Sequence, residues 1–262
     1  MIKKEMDYKV LLKTAMLAGE IMAQSGAETF RVEDTMIRIL KNSNLQSVEV
    51  YATTTGIVAS VSDPSIEPIS AVARISNRAN NLSRIHDVNQ ISRNICDGRI
   101  TIDEAHHELM EIRNHKIYSK ITHSIALVVS TVGFAGLLGG SVSDCAIAAI
   151  NGGIIALISR FLENRVFSTF MLDAVKSFAI AFFTMLCTLF FFPFRQEIVI
   201  IGSIMPLVPG VPITNAVRDT LQGDYMSGTA RAVEAFVISL GIALGVGSGI
   251  GLFHILERMI TL

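Results

Sequence analysis

Concentrated positive charge is missing from this chain of 262 residues, which carries 22 Lys and Arg against 23 Asp and Glu. Nucleic-acid binding needs a basic face, and no cluster of Lys and Arg supplies one here. Charged residues of either sign are also scarce, at 17% of the sequence. The composition therefore argues against a nucleic-acid-binding protein and against an ordinary soluble domain.

Cysteine is scarce as well, and the three cysteines include no Cys-x-x-Cys pair. Two of them lie in apolar segments, so neither a disulfide framework nor a zinc site is predicted. Their positions are Cys96, Cys145 and Cys187. No metal or cofactor is predicted. An apolar run of signal-peptide length is missing ahead of the polar N-terminal stretch, so we expect the N-terminus to stay in the cytoplasm.

Apolar residues, in contrast, make up half of the sequence and give a mean hydropathy of +0.50. Residues 1–120 hold 15 of the 22 basic and 15 of the 23 acidic side chains, which leaves 15 charges for the last 142 residues. The prediction is an α-helical polytopic membrane protein. An N-terminal cytosolic α+β domain, residues 1–118, would precede a transmembrane domain, residues 119–262.

Hydrophobic periodicity predicts the elements of the N-terminal domain. Residues 8–24 have the spacing of an amphipathic helix, and Ser25 with Glu28 is spaced as a capping box for a second helix. Residues 47–75 alternate between apolar and polar side chains, which predicts a three-stranded antiparallel meander. Helical spacing returns after residue 82, and the stretch TIDEAHHELMEI opens with another capping box.

Acid-base side chains are frequent in the last helices of this domain. No metalloprotease motif or nucleophile motif accompanies them, and such side chains on an amphipathic helix are typical of its solvated face. An enzyme is therefore not predicted. The set comprises His86, His106, His107, His115, Asp103, Glu104 and Glu108.

Long apolar runs predict five transmembrane helices at about 121–139, 145–161, 174–194, 197–213 and 231–255. The fourth run is short and contains prolines, so four full spans with one re-entrant segment is the alternative. Lys and Arg are concentrated in the second-to-third and fourth-to-fifth loops. This distribution places the N-terminus in the cytoplasm and the C-terminus outside.

Two of the runs have a distinctive surface. Gly241, Gly245 and Gly249 recur at a spacing of four in the fifth run, which predicts close packing against another helix. The third run is bulky on almost all sides and is expected to face lipid.

Polar side chains inside membrane spans are costly and therefore informative. Asn151, in the middle of the second run, is the strongest case. Asp173 lies near the predicted end of the third run, where contact with water is the alternative to a functional role. Glu234 follows Arg231 by three residues, and a local ion pair between them is its alternative.

Three prolines interrupt the fourth run, and they cannot all sit in one regular helix because each removes a backbone donor and clashes with the preceding turn. They are Pro206, Pro209 and Pro212. We expect the helix to unwind around residues 207–211. Unwound backbone is tolerated in a membrane only where protein or a water-filled cavity surrounds it. Broken transporter helices often direct an N-terminus at an anionic group, so a carboxylate ligand is predicted at this break.

The stretch ITNAVRDTL predicts a new helix after the break, with Thr214 and Asn215 in its first turns. Arg218 and Asp219 follow one turn later. We expect Arg218 to bind the carboxylate and Asp219 to orient Arg218. The alternative is a proline kink followed by a salt bridge on the cytoplasmic side.

Three motifs occur in the order of a known family: SGAETFRVEDTM (25–36), TTTGI (53–57) and PLVPGVPITNAVRDTLQGDYMSGTARAVEA (206–235). Together they resemble the threonine/serine exporter family over nearly the whole chain. The similarity is greatest to the longer subunit of the split, two-component form. That family places a cytosolic N-terminal domain before about five spans, and its fused members append a second set of spans.

The resemblance implies export of small carboxylates, namely threonine and serine in fused members and succinate-like dicarboxylates in some split pairs. This sequence carries one set of spans, so the resemblance also implies a hetero-oligomer with a small membrane subunit that supplies the second set. The implied location is the bacterial inner membrane. The coupling ion is left open between protons and Na⁺.

The sequence therefore predicts an exporter subunit that works by alternating access. The residues predicted to bind substrate are Pro206, Pro209, Gly210, Pro212, Thr214, Asn215, Arg218 and Asn151. Those predicted to act in coupling or gating are Asp219, Glu234 and Asp173. The alternative function is that of a membrane-anchored regulatory or hydrolytic protein whose cytosolic domain carries the activity, although an anchor needs no triple-proline break.

Overall fold

A computed structural model gives the fold, and the residues it describes are 7–261 with the exception of 44, 77, 116–117, 163–167 and 190–192. The chain divides into two compact units. Unit 1 comprises Met1–His115 and Val211–Val233, and unit 2 comprises Lys116–Gly210 and Glu234–Leu262. The first division lies close to the boundary predicted at residue 118. Residues 211–233, predicted as part of the transmembrane domain, instead group with the N-terminal residues.

Unit 1 has a helical and a sheet layer. In chain order its N-terminal elements are α1 (Tyr8–Gln24), α2 (Thr29–Lys41), β1 (Ser47–Ala52), β2 (Gly56–Asp63), β3 (Ile66–Arg74), α3 (Leu82–Cys96) and α4 (Ile102–Asn114). The strands pair antiparallel in the order β1-β2-β3, so the predicted meander is confirmed. Alternate residues of β2 are buried in a core shared with the helices, among them Ile57, Ala59 and Val61.

The two predicted capping boxes have different outcomes. Thr101 and Glu104 form theirs at the start of α4, where the Thr101 hydroxyl accepts a hydrogen bond from the Glu104 amide at 3.2 Å. The box predicted at Ser25 and Glu28 is wrong. Ser25 closes α1, and Glu28 precedes α2 without a side-chain cap, because its carboxylate pairs with arginine side chains instead.

The helices after α4 are α5 (Lys120–Leu137), α6 (Val142–Leu162), α7 (Thr169–Cys187), α8 (Gln196–Ile204), α9 (Gly210–Leu221) and α10 (Tyr225–Thr261), with a 3-10 turn at Met205–Leu207. Among the described residues, four helices are long and apolar enough to cross a membrane: α5, α6, α7 and α10. The count rises to five if the bent pair formed by 196–207 and 210–221 is one span. The chain is thus mostly helical with four to five candidate spans.

Helix α7 differs from its prediction in position and in surroundings. It starts after the cap provided by Ser168 and ends at Cys187, whereas the apolar run predicted 174–194. The helix buries one side along nearly its whole length and is the most buried of the four candidate spans, so only its other side is available to face lipid. Small side chains between the phenylalanines, at Ala174, Ser177 and Ala181, allow another helix to approach that side.

That neighbour is α10, which contacts the α7 backbone through a row of glycines. An added Cβ at Gly241 would lie 3.0 Å from the Phe170 carbonyl oxygen, and one at Gly249 would lie 2.7 Å from the Phe178 carbonyl oxygen. Gly245 similarly faces the Ala174 carbonyl. The predicted packing role of these glycines is confirmed. We call this contact the glycine seam.

The break in the fourth segment is shorter than predicted. The 3-10 turn contains Pro206, the backbone is extended at Val208, and α9 already begins at Gly210 after Pro209. Pro212 is tolerated in the first turn of α9 because the amides there have no partner within the helix. The helical directions on the two sides of the break differ by 58°.

Candidate functional site

Several predicted site residues lie in unit 1, where α9 and the start of α10 meet the turn between α1 and α2. The Asn215 side-chain amide donates to the Gly26 carbonyl at 2.8 Å, and Arg231 Nη2 donates to the Ala27 carbonyl at 2.8 Å. Gly26 has a φ of +85°, a conformation that favours glycine. The carbonyls of this turn thereby accept hydrogen bonds from residues about two hundred positions later in the chain.

Arg218 forms an ion pair with Glu28, through Nη1 and Oε1. The pair is asymmetric, because 59% of the Arg218 side chain is exposed and only 7% of the Glu28 side chain is. Arg31 also approaches Glu28, with Nη1 3.4 Å from Oε2. Burial alone would raise the pKa of Glu28, but the hydrogen bond from Arg218 and the charges of both arginines hold that pKa below its ordinary value. Glu28 is therefore an ionised carboxylate at neutral pH.

In a second ion pair, between Asp219 and Arg231, both side chains are buried. Arg231 Nε lies 2.9 Å from Asp219 Oδ2, although the angle is outside hydrogen-bonding range. Asp219 also accepts hydrogen bonds from Thr29, from the amide at 3.1 Å and from the hydroxyl at 3.3 Å. Both charges are thus held among protein groups and away from solvent.

These contacts change the predicted roles. Asp219 pairs with Arg231 and not with Arg218, so the prediction that Asp219 orients Arg218 does not match the geometry. Sequence reasoning does not find Glu28, Thr29 and Arg231 as partners of Arg218 and Asp219. The local spacing of Glu28 predicts a helix cap, and no local pattern connects residues this far apart.

Unit 2 contains Asn151, which is completely buried together with Thr184 and Ser203. The Asn151 side-chain nitrogen lies 3.0 Å from the Thr184 hydroxyl and 3.0 Å from the Ser203 hydroxyl. Asn151 comes from α6, Thr184 from α7 and Ser203 from the last turn of α8. We call these three residues the amide cluster. Sequence reasoning found Asn151 but missed its two hydroxyl partners, which have common residue types.

The other predicted residues of unit 2 lie at separate places along the chain. Asp173 lies near the N-terminal end of α7, in its second turn, where it is buried and pairs with buried Lys176 at 3.6 Å. Pro206 and Pro209 flank the end of the 3-10 turn, and Glu234 lies inside α10 with an interaction of its own. In the part of the chain that the structure describes, no three His, Cys, Asp or Glu side chains converge as metal ligands.

Comparison with known proteins identifies the family. The model of the ThrE family of threonine/serine exporters matches residues 13–253. A probable threonine/serine exporter of Mycobacterium tuberculosis is 26% identical over 241 residues, which cover 91% of this chain and 45% of that protein. A threonine/serine exporter of Corynebacterium glutamicum is 23% identical over 260 residues, covering 95% of this chain and 53% of that protein.

A third relative has a similar length. The probable succinate transporter subunit YjjP of Klebsiella aerogenes is 24% identical over 250 residues, covering 92% of this chain and 93% of that protein. The chain spans about half the length of the two exporters above. No solved structure matches the chain. Because the family model covers nearly the whole sequence, from the first helix of unit 1 into α10, the chain belongs to the threonine/serine exporter family.

Proposed function

We propose that the chain is one subunit of an exporter of small carboxylates in the bacterial plasma membrane, and that it acts with a second small membrane subunit. The substrates would be threonine and serine or succinate-like dicarboxylates. Unit 1 would lie in the cytoplasm and the C-terminus outside. The observation that carries this proposal is membership of an exporter family over nearly the whole chain, including the proline-interrupted segment.

Chain connectivity supports a five-span topology. The chain leaves unit 1 after His115 and re-enters it at Val211. If unit 1 lies on one side of the membrane, the stretch between these points must cross an even number of times. Three candidate spans lie in it, α5, α6 and α7, so α8 with its 3-10 turn would supply the fourth crossing. Helix α10 would then be the fifth span and would carry the C-terminus outside.

The shortness of this fourth crossing favours a carrier over a simple anchor. Nine α-helical and three 3-10 residues extend roughly 20 Å. The hydrocarbon core is about 30 Å thick. Non-helical backbone next to α8 would therefore lie at membrane depth, where only protein or a water-filled cavity can satisfy it. A passive anchor has no use for such a segment, whereas a transporter can bind substrate there.

Arg218 is the proposed binding group for a substrate carboxylate. It already holds a carboxylate, that of Glu28, while most of its side chain stays exposed. A guanidinium binds a carboxylate through paired N–H donors, a geometry that is the same for a protein side chain and for a free acid. Glu28 is thus an internal competitor that a substrate carboxylate would displace from Arg218.

Efflux tests the proposed function directly. Cells preloaded with labelled serine, threonine or succinate should export at least one of them when the chain is present with its small membrane partner. The alternative role, a membrane-anchored regulator or hydrolase, predicts no efflux with or without the partner. It predicts instead that the soluble fragment 1–118 binds or cleaves a ligand.

Substitutions at the ion pair test the role of Arg218. Arg218→Lys keeps the charge but loses the paired donors, so KM for export should rise about ten-fold, which corresponds to about 1.4 kcal/mol. Glu28→Gln removes the competitor and should lower KM. The matched control is Arg31→Lys, which alters the other guanidinium beside Glu28 and should leave KM unchanged. An unchanged KM in Arg218→Lys, with normal insertion, would refute carboxylate binding at this side chain.

A further inference from the structure

The amide cluster of Asn151, Thr184 and Ser203 is enclosed completely, and it joins three helices. Its hydrogen bonding is incomplete. The two N–H groups of Asn151 point at the two hydroxyl oxygens, while Asn151 Oδ1 has no donor among the described residues. The same part of the chain provides no acceptor for the hydroxyl hydrogens of Thr184 and Ser203. A buried polar atom without a partner is costly, so a completely buried cluster that contains one is expected to serve a ligand.

Turning the amide does not complete the cluster. If the oxygen and nitrogen of the Asn151 side chain exchange places, Oδ1 accepts from both hydroxyls, but the two N–H groups then lose their acceptors. In the first orientation two O–H donors and the Oδ1 acceptor are unused, whereas in the second orientation only the two N–H donors are unused. The second orientation satisfies more of the polar groups of the cluster, and it leaves only N–H donors unpaired, so the missing partner is an acceptor.

The chemistry favours an anion over a cation. A metal ion needs oxygen lone pairs, whereas the group that lacks a partner in the second orientation is a pair of N–H donors, which repels a cation and attracts an anion. No Asp or Glu among the described residues hydrogen-bonds to these three side chains. A carboxylate accepts hydrogen bonds only, and each bond to it gains from its charge. Uncharged donors can thus hold a carboxylate and release it again without leaving a buried charge behind.

The position of Ser203 connects the cluster to the proline break. Ser203 occupies the last turn of α8, directly before the 3-10 turn that starts at Met205. A ligand bound at the amide cluster would therefore lie beside a residue that is two positions before the break. On its other side α8 packs tightly against α5, because a Cβ at Gly202 would lie 2.8 Å from Ala135 Cα.

We propose that Asn151, Thr184 and Ser203 form a subsite inside unit 2 that binds a carboxylate of the exported substrate through uncharged hydrogen-bond donors. This inference rests on the proposed function and extends it to two residues that sequence patterns do not reveal. The subsite belongs to unit 2, and the Arg218–Glu28 pair belongs to unit 1. The proposal assigns the Asn151 amide to carboxylate binding, and Thr184 and Ser203 to positioning that amide.

Export kinetics test the subsite with whichever of serine, threonine and succinate the unmodified protein exports. Thr184→Val and Ser203→Ala each delete one hydroxyl and should raise KM about ten-fold. Thr184→Ser and Ser203→Thr keep the hydroxyl and should stay within about three-fold of the original KM, which is below the cost of one hydrogen bond. The control is Ser159→Ala, which removes a buried α6 hydroxyl that has no hydrogen-bond partner in the described chain.

Asn151→Asp distinguishes the charge of the ligand. A negative side chain would repel a carboxylate, so KM should rise more than in the hydroxyl deletions. A lower KM, or a new requirement for Na⁺, would overturn the proposal in favour of a cation site. If hydroxyl-deleting and hydroxyl-retaining variants behave alike, the subsite is refuted while the exporter role stands. Absence of export by the unmodified protein, with its partner present, would overturn the proposed function and the subsite together.

Discussion

At the scale of single residues, the Asp219–Arg231 and Arg218–Glu28 ion pairs of unit 1 differ in how deeply their side chains are buried. Asp219 and Arg231 are both buried, so removing either one would leave a charge in a poorly solvated place. Such losses typically cost about 3–5 kcal/mol. Arg218 is mostly exposed and can do without Glu28, whereas Glu28 is buried and depends on its arginines. The Asp219–Arg231 pair is therefore a structural contact. In the Arg218–Glu28 pair, Arg218 can exchange Glu28 for another carboxylate.

Glu33 provides a test of stability against pH. Its Oε1 accepts a hydrogen bond from the Ala52 amide at 2.8 Å. Burial, with repulsion from Asp224 and Asp219, raises the pKa of Glu33 above its ordinary value. A carboxyl whose pKa is raised by folding destabilises the folded state when it is ionised. The cost is full above the folded-state pKa and disappears as the pH falls through that pKa.

Glu33→Gln should therefore raise the unfolding temperature of the detergent-solubilised chain at pH 7 to 8, because the neutral amide oxygen still accepts from Ala52. The gain should shrink as the pH is lowered toward the ordinary range of a carboxyl. Glu49→Gln, which changes an exposed side chain of β1, is the control and should have no effect. A loss of stability in Glu33→Gln at pH 7 would contradict the sign of this argument.

At the scale of elements, alanine substitutions at two adjacent glycines of α6 are expected to have different effects on stability. A Cβ at Gly152 would lie 2.7 Å from Val128 Cα of α5, so an alanine there would push the two helices apart. At Gly153 a Cβ would have no neighbour within 4 Å. Gly152→Ala should lower the unfolding temperature and the yield of folded protein, since overpacking typically costs about 1–3 kcal/mol. Gly153→Ala is the matched control and should be tolerated. Equal effects would show that helix propensity, and not contact with α5, decides the result.

Local periodicity predicts which elements form, but not all of their ends. The alternation in residues 47–75 gave the meander with its three strands, because β2 buries every second side chain. The third span was misplaced by several residues, since the phenylalanines after Cys187 are as apolar as those before it. Hydropathy alone does not register a helix end inside an apolar stretch.

The candidate site was only partly predictable for a different reason. A proline interrupts a helix because of its own covalent structure, so Pro206 and Pro209 predict the break without any knowledge of their neighbours in space. Glu28 and Arg218 are 190 positions apart, and neither carries a local sign of its partner. Thr184 and Ser203 are ordinary residues in apolar helices, and only the three-dimensional packing brings them to Asn151. Contacts between side chains far apart in the chain cannot be predicted from a single sequence.

At the scale of the whole molecule, the proposed five-span topology makes a prediction about sidedness. Reporter fusions that are active only outside the membrane should be active at residue 139 and at the C-terminus, and inactive at residue 223. A four-span arrangement with a re-entrant α8 predicts the opposite pattern at 223 and at the C-terminus. It would also place residues 211–233 across the membrane from residues 1–115, with which they form one unit.

The glycine seam has a mechanical consequence for a molecule of this kind. Along it, α10 meets the main chain of α7 without side chains of its own, at Gly241, Gly245 and Gly249. Interlocked side chains resist displacement because each must leave its groove before the next position is reached. A glycine face contributes no side chains to such grooves, so it would oppose a shift along the neighbouring helix less than interlocked side chains do. The glycine seam would therefore hold α10 close to α7 while offering little resistance to a shift along the helix axis.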